Sequence, residues 1–418
     1  MRLGVSLGAI HDSSERFPAP NCHPDTRKAV REIILDWIHG ESSESSFFWL
    51  YGSAGAGKTA ILQAIAEFLS SPPESDEKFG GSFFFSRGKK GRDEGHYLFS
   101  TIALQLALKV PGLRRHVNRI MELDPTLHTK SMEVQLRNLV IDTFRHLSPL
   151  PRPYLVIIDG LDECNDKTTQ QSILRLLCET ITVHKLPLRF LIGSRPESHI
   201  RDNFDQESLH TVTRRVILDE KFNPGRDIQV FLRDGFAKIC SKNSILSHVE
   251  HPWPREGVID LIVRRSSGQF IYATTVLKFV GADFCSPTKQ LALVLKPDAA
   301  AFSDLDQLYT QILSIYPSAV NIVHVLGIIS VSHGKLAEVV EDIFGMEEGE
   351  LKLVLCGLSS LMKDEDEHWH FLNSGSTSTS YVIPHFAHAS FGDYLLDSSR
   401  SGPFHKIGRA SCRERVCR

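Results

Sequence analysis

The sequence predicts an α/β protein with a mainly parallel β-sheet and helices on both faces, followed by a helical domain and a winged-helix domain. Up to about residue 220, short apolar runs alternate with segments of helical periodicity, as in parallel strands joined by crossover helices. Beyond that point the strand signal stops and helical patterns follow one another. The predicted divisions are an N-terminal linker and helix over 1–45, the α/β core over 46–220, the helical domain over 221–300, the winged-helix-like domain over 301–402 and a tail over 403–418.

The bulk composition argues against several classes of protein. Hydrophobic residues make up 42% and charged residues 23% of the 418, which are ordinary values for a globular chain. The formal net charge of −3 gives no sign of a nucleic-acid or anionic-membrane partner. No apolar run reaches the roughly 18 residues that cross a bilayer. The eight cysteines are scattered without metal-ligand spacing, as in reduced cytosolic proteins. We therefore expect a cytoplasmic protein with no nucleic-acid and no membrane partner.

The most specific local signal is the segment Gly-Ser-Ala-Gly-Ala-Gly-Lys-Thr, from Gly52 to Thr59, which fits the pattern G-x-x-x-x-G-K-[ST]. An apolar run leads into it and a helical pattern leads out, which is the context that this motif requires. The glycines let successive backbone N–H groups converge on phosphate oxygens, and the following helix adds its positive end. Lys58 can reach the β- and γ-phosphates, and the Thr59 hydroxyl can ligate Mg²⁺.

This segment predicts a P-loop NTPase sheet with ATP or ADP and Mg²⁺ as cofactors. The candidate nucleotide contacts are Gly52, Ser53, Ala54, Gly55, Ala56, Gly57, Lys58, Thr59 and Ala60.

A second signal is the apolar run Tyr154 to Ile158, which is closed by Asp-Gly-Leu-Asp-Glu over 159–163. A buried parallel strand delivers such acids to its carboxyl end, the edge at which ligands bind in open α/β sheets. We expect Asp159 to hold Mg²⁺ through water. Asp162 and Glu163 are expected beside the γ-phosphate, where one carboxylate orients or deprotonates the attacking water.

Two further segments leave their roles open. The predicted strand Leu188 to Ile192 ends in Gly-Ser-Arg-Pro over 193–196. Arg195 either stabilises the charge that develops on the γ-phosphate or is a surface arginine beside a helix-capping serine. The basic, glycine-rich loop from Arg87 to Gly95 is interpreted as a solvated surface loop in preference to a phosphate contact. Residues 1–23 carry little pattern.

The C-terminal region predicts helices and then two short β segments, His368 to Leu372 and Tyr381 to His385, around a Ser/Thr-rich loop. Helices followed by a two-stranded wing indicate a winged-helix domain. No basic recognition helix is visible, so a role in protein packing is favoured over DNA binding.

These motifs together resemble the NACHT-type NTPases of the STAND class, in particular those of mushroom-forming fungi. The resemblance extends from about Cys22 to Gly402. Its carriers are Cys-His-Pro-Asp-Thr-Arg over 22–27, the phosphate loop, Ile-Asp-Gly-Leu-Asp-Glu over 158–163, Gly-Ser-Arg-Pro over 193–196, Gly-Gln-Phe-Ile-Tyr-Ala over 268–273 and His-Ala-Ser-Phe over 388–391.

The resemblance implies an ATP-driven switch in signalling or non-self recognition, with slow hydrolysis. ADP would hold the domains closed, and exchange for ATP would open them and permit self-association. It also implies that His388 contacts the β-phosphate of ADP. The effector and repeat-sensor domains that such proteins often carry are not visible here, so the chain resembles a switch module.

Two other functions compete with the switch. The first is a nucleotide-binding scaffold that holds ADP without turnover. The second is a metabolic P-loop kinase, which the appended helical and winged-helix regions disfavour. GTP specificity lacks support because no N-K-x-D motif follows the core.

The last residues, Lys406 to Arg418, continue no pattern and resemble the translation of a sequencing-adapter oligonucleotide. We expect this tail to be artefactual and unstructured, and the natural C-terminus to be cut off.

Overall fold

The structure is a computed structural model, and it divides into two compact units. The first comprises Met1–Ser53 and Gly57–Phe222, and the second comprises Ala54–Ala56 and Asn223–Arg418. The residues that the structure describes are 4–40, 45–71, 78–147, 152–243, 246, 248–282, 285–296, 304–314, 326, 358–362, 386 and 388–405.

The first unit is built on a five-stranded sheet in which every pairing is parallel. The strands are β1 Phe47–Tyr51, β2 Phe79–Phe84, β3 Tyr154–Asp159, β4 Leu188–Ser194 and β5 Thr213–Ile217. Their order across the sheet is β2-β3-β4-β1-β5, so that one strand separates β1 from β3. The carboxyl ends of all five strands therefore lie along one edge, where open α/β sheets bind ligands.

Helices cover both faces of this sheet. Those of the first unit are α1 Lys28–His39, α2 Lys58–Ser70, α3 Leu98–Lys109, α4 Leu113–Leu123, α5 Met132–Leu136, α6 Asp142–Phe144, α7 Lys167–Thr182, α8 Ser198–Asp205 and α9 Glu207–His210. Side chains alternate along a strand, so Val156 and Ile158 belong to the large core shared with α3 and α7, whereas their neighbours face α2. The predicted α/β fold, a P-loop NTPase sheet with helices on both faces, is confirmed.

Strand and helix ends differ from the sequence-based prediction by a few residues. The apolar pattern predicts a strand from Gly81 to Ser86, whereas β2 begins at Phe79 and ends at Phe84, and β4 continues through Ser194 because its ladder with β1 extends to that residue. Helical periodicity predicts one helix from Ser131 to Leu147, which in the structure is interrupted by a π-helical turn, Arg137–Ile141, between α5 and α6. Hydrogen bonding in the folded state, which the periodicity does not encode, sets these boundaries.

The N-terminal segment is ordered although its sequence carries little pattern. Residues 4–16 form two 3₁₀ turns, Leu7–Ala9 and Ser14–Arg16. Ser6 N donates to Thr101 Oγ1 over 2.9 Å, and His11 N donates to Ser82 Oγ over 3.0 Å. These bonds join residues about 70 to 95 positions apart, so hydrophobic periodicity cannot reveal them.

The second unit is helical in the part that the structure describes. Its helices are α10 Pro224–Lys242, α11 Glu256–Ser266, α12 Phe270–Val280, α13 Pro287–Val294, α14 Asp304–Leu313, α15 Ala389–Leu396 and α16 Ser398–Ser401. Phe236, Val276, Tyr309 and Tyr394 lie in its core. The two predicted wing strands and the tail from 406 lie outside the described residues. Among the described helices, none is long and apolar enough to cross a membrane.

Candidate nucleotide site

The phosphate loop adopts the backbone conformation that its glycines permit. Gly55 has a φ of 73° and Gly57 a φ of 92°, in the left-handed region that residues with a Cβ avoid. Gly57 is also the residue directly before α2, so that the helix begins at Lys58. The unpaired N–H groups of the first helical turn thus follow the loop without an intervening residue, which is the arrangement that binds phosphate.

Lys58 lies inside the curve of its own loop. Its Nζ donates to the carbonyl oxygens of Gly52 and Ser53, each over 2.8 Å. Burial lowers the pKa of Lys58, and the nearby charges of Asp162 and Asp159 oppose that shift. The ammonium is therefore held where the loop closes, and the carboxylates after β3 lie close enough to stabilise its charge.

Asp159 ends β3 on the face that is covered by α2. Its carboxylate occupies space that is open because Gly193 on the neighbouring strand has no side chain. A Cβ on Gly193 of β4 would lie 2.6 Å from Asp159 Oδ1 and 2.5 Å from Leu62 Cδ1. Thr59 hydrogen-bonds this carboxylate. Among the described residues, Asp159 Oδ1 is buried without a hydrogen-bond partner.

The charge of Asp159 is poorly compensated. Burial raises the pKa of Asp159 to about 6, although the bond from Thr59 and the charges of Arg16 and Lys58 work against the shift. A buried carboxylate oxygen without a donor, beside a hydroxyl, fits a hard cation, because Mg²⁺ binds oxygen ligands. Thr59 and Asp159, the two predicted metal ligands, are brought together.

The other two acids lie on a single 3₁₀ turn, Leu161–Glu163, directly after β3. Asp162 is paired with the loop after β4: its Oδ1 accepts from Arg195 N over 2.9 Å, and its Oδ2 lies 3.2 Å from Arg195 Nε. Asp162 thus ties the ends of β3 and β4 together. The role predicted for Arg195 at the γ-phosphate stays a prediction.

Glu163 has the properties of a proton acceptor near neutral pH. Its Oε2 accepts from the backbone N–H of Arg87 over 3.1 Å. Burial raises the pKa of Glu163 to about 7, and repulsion by Asp162 adds to the shift. A carboxylate with this pKa is suited to general-base catalysis, which is most effective when the pKa lies near the working pH.

The loop over 87–95 is only in part the solvated surface loop that the sequence suggested, since Arg87 and Lys90 are exposed. Arg92 and Asp93 are buried, and Arg92 Nη2 donates to Phe84 O over 3.3 Å. Arg87 Nη2 donates to Asp162 O over 3.2 Å. The interpretation therefore fails for the two arginines, which bond backbone carbonyls, a pairing that a charge count cannot reveal.

His388 begins α15 in the second unit. Its Nδ1 accepts from Ser390 N over 3.1 Å and lies 2.7 Å from Ser390 Oγ, so it caps this helix. Its predicted contact with the β-phosphate of ADP stays a prediction.

Two further residues, Gly193 and Arg16, contribute to the site. Gly193 lies within a quoted motif, and the signal for its role was a glycine at the end of an apolar strand, where close approach is common. Arg16 lies in the segment without pattern. No sequence signal indicated that it would be buried.

A family profile described as "Nephrocystin 3, N-terminal" matches residues 30–195. No curated protein matches the chain.

Similar solved structures include the Drosophila ORC bound to DNA, with 14% identity, 86% of this chain and 87% of that chain covered and a TM-score of 0.42. Cdc6p from Pyrobaculum aerophilum has 12% identity, 86% and 93% coverage and a TM-score of 0.40. The Aeropyrum pernix ORC1 protein in complex with DNA has 13% identity, 90% and 91% coverage and a TM-score of 0.37.

The coarser prediction, a P-loop NTPase, is confirmed. The exclusion of a nucleic-acid partner was wrong, since two of these similar structures are complexes with DNA. A net charge near zero describes the whole chain and does not report on any one surface, so it did not justify that exclusion.

Proposed function

We propose that this chain binds ATP and ADP with Mg²⁺ and hydrolyses ATP slowly, as a NACHT/STAND-type nucleotide switch in signalling or non-self recognition. The observation that carries the nucleotide site is the contact between Thr59 and Asp159, next to Lys58 in its phosphate loop. Asp159 ends β3 and Thr59 lies in the first turn of α2, after β1, so the two meet at the carboxyl edge of the sheet.

Each residue has a chemical task in this proposal. The N–H groups of the loop and Lys58 bind the phosphates, and Lys58 exchanges its loop carbonyls for phosphate oxygens. Thr59 and Asp159 would hold Mg²⁺, which supplies charge neutralisation at the phosphates when bound. Glu163 accepts a proton from the attacking water, and Arg195 stabilises negative charge on the γ-phosphate.

Slow hydrolysis follows from how the acids are held. Glu163 is held by the N–H of Arg87 and Asp162 is paired with Arg195, so turning either carboxylate toward an attacking water requires these contacts to rearrange. The switch itself is proposed on the family resemblance of the motifs.

A second candidate, a scaffold that holds ADP without turnover, is favoured by the same pairing, because both oxygens of Asp162 are engaged by Arg195. Single-turnover hydrolysis of γ-labelled ATP by the wild-type chain separates the two. The switch requires release of phosphate from bound ATP, whereas a scaffold releases none above the rate in solution.

The nucleotide site is tested by Lys58→Ala, with fluorescent ATP and Mg²⁺ as the probe. We expect roughly a hundredfold loss of affinity, because one desolvated cation on the phosphates is removed. Lys167→Ala is the matched control, since Lys167 also begins a helix of the first unit. Equal affinities of wild type and Lys58→Ala would overturn the proposal.

A further inference from the structure

The N-terminal segment delivers a second cation to the nucleotide site. Arg16 is only 4% exposed. Its guanidinium carbon lies 3.7 Å from the centre of the Phe84 ring, and its Nη2 donates to Gln63 Oε1 over 2.6 Å. Among the described residues, Arg16 Nε is buried without a hydrogen-bond partner. A buried cation with an unused donor is costly unless it compensates a neighbouring negative charge.

Both contacts of Arg16 place it near Asp159, the proposed Mg²⁺ ligand. Phe84 is the residue of β2 that pairs in register with Asp159 of β3. Paired residues on neighbouring strands present their side chains on the same face, which here is the face covered by α2. Gln63 lies on α2 itself, five residues after Lys58. Arg16 is thus held between the helix that follows the phosphate loop and the strand beside Asp159.

The charges are consistent with this placement. The charges of Arg16 and Lys58 both oppose the upward shift in the pKa of Asp159, and Arg16 has the larger effect. Burial lowers the pKa of Arg16 to about 10, with Arg92 adding to the shift and Asp159 opposing it. Arg16 remains a cation at neutral pH.

We propose that Arg16 is a positioning residue of the nucleotide site, which acts through Asp159 and sets how strongly nucleotide binding depends on Mg²⁺. The inference rests on the proposed nucleotide-binding function. With no metal present, Arg16 compensates the carboxylate that the phosphates of the nucleotide approach. When Mg²⁺ binds, the same cation repels it. Loss of the charge therefore weakens metal-free binding and strengthens metal binding, and both changes increase the dependence on Mg²⁺.

The measured quantity is the dissociation constant of fluorescent ADP in EDTA divided by that in saturating Mg²⁺. We expect this ratio to increase about tenfold in Arg16→Met, which corresponds to about one pKa unit of charge interaction. Arg16→Lys keeps the cation and should stay within about twofold of wild type on the same scale. Arg16→Gln serves as the neutral variant if Arg16→Met does not fold.

The control for simple loosening of the segment is His11→Asn. His11 lies on the same N-terminal segment as Arg16 and hydrogen-bonds Ser82 of β2 and Ser70 of α2, so its loss should lower the thermal midpoint without changing the ratio. An unchanged ratio in the neutral Arg16 variant, or an equal rise in His11→Asn or Arg16→Lys, overturns the inference. If the wild type binds no ADP even with Mg²⁺, the proposed function itself has failed, which is a distinct result.

Discussion

The phosphate loop and the acidic turn after β3 lie at the same edge of the sheet, but they are built in different ways. The loop is complete within eight consecutive residues, and Lys58 bonds carbonyls of that same segment. The acids at the end of β3 and in the turn after it have partners from distant parts of the chain: Thr59 for Asp159, Arg195 for Asp162 and Arg87 for Glu163. A site made from local backbone geometry can be recognised in a sequence, whereas one made from long-range contacts depends on the whole fold.

The largest effect is expected from removing the proposed general base, which should slow hydrolysis and leave nucleotide binding intact. Glu163→Gln should lower the single-turnover rate of ATP hydrolysis by roughly 10²–10⁴-fold, because the general base is lost. Nucleotide affinity should stay within about threefold of wild type, because the phosphate loop is unchanged. Glu179→Gln, an exposed acid on α7, is the control. Hydrolysis at the wild-type rate in Glu163→Gln would remove this residue from the mechanism.

The next effect concerns the space beside Asp159. Gly193→Ala places a Cβ within 2.6 Å of both Leu62 and Asp159, so we expect a loss of about 1–3 kcal/mol in unfolding free energy. Nucleotide binding in Mg²⁺ should also weaken, since the carboxylate is displaced. Gly88→Ala is the comparison: no atom lies within 4 Å of its added Cβ, but its φ of 76° makes an alanine there strained without any crowding. It should affect stability alone, and a Gly193→Ala chain with wild-type stability would contradict this account.

The pH dependence of stability tests the two raised carboxyl pKa values. A carboxyl group whose pKa is higher in the folded than in the unfolded state binds more protons when folded, so stability falls as pH rises between the two values. For Glu163 the window ends at about 7, and for Asp159 at about 6. Without nucleotide or metal, Glu163→Gln and Asp159→Asn should match wild type near pH 4 and exceed it by about 1–3 kcal/mol near pH 8.

The measurement is urea unfolding at a series of pH values. The stability gain of Asp159→Asn should appear about one pH unit lower than that of Glu163→Gln. A gain that is constant from pH 4 to pH 8 would mean that charge is not its cause.

The smallest effect is expected just beyond the acidic turn. Asp166 caps α7, with its Oδ2 accepting from Thr169 N over 2.9 Å. Asp166→Ala should cost about 1 kcal/mol in unfolding free energy, as for other helix caps. It should leave nucleotide affinity and hydrolysis unchanged, because this carboxylate serves the helix only. A large loss of nucleotide binding in this variant would extend the functional site further along the chain than we infer.

The sequence by itself determined the class of fold and the chemical character of the site. Strands β1, β3 and β4 are short, mostly apolar runs, and the alternation of such runs with helical patterns favours a parallel sheet with crossover helices. The phosphate loop needs particular glycines, a lysine and a threonine at set spacing, so it can be read from Gly52 to Thr59 alone. The acids after β3 could be placed at the correct edge because the carboxyl ends of parallel strands lie together.

Only the tertiary structure decided the order of the strands and the partners of the acids. Register between β2 and β3 places Phe84 beside Asp159, and burial of residues 4–16 then brings Arg16 onto that ring. The tertiary structure also pairs Asp162 with Arg195 and places the N–H of Arg87 where it donates to Glu163. These contacts join residues that are 33 to 76 positions apart. They depend on which surfaces become buried together, and neither composition nor periodicity records that information.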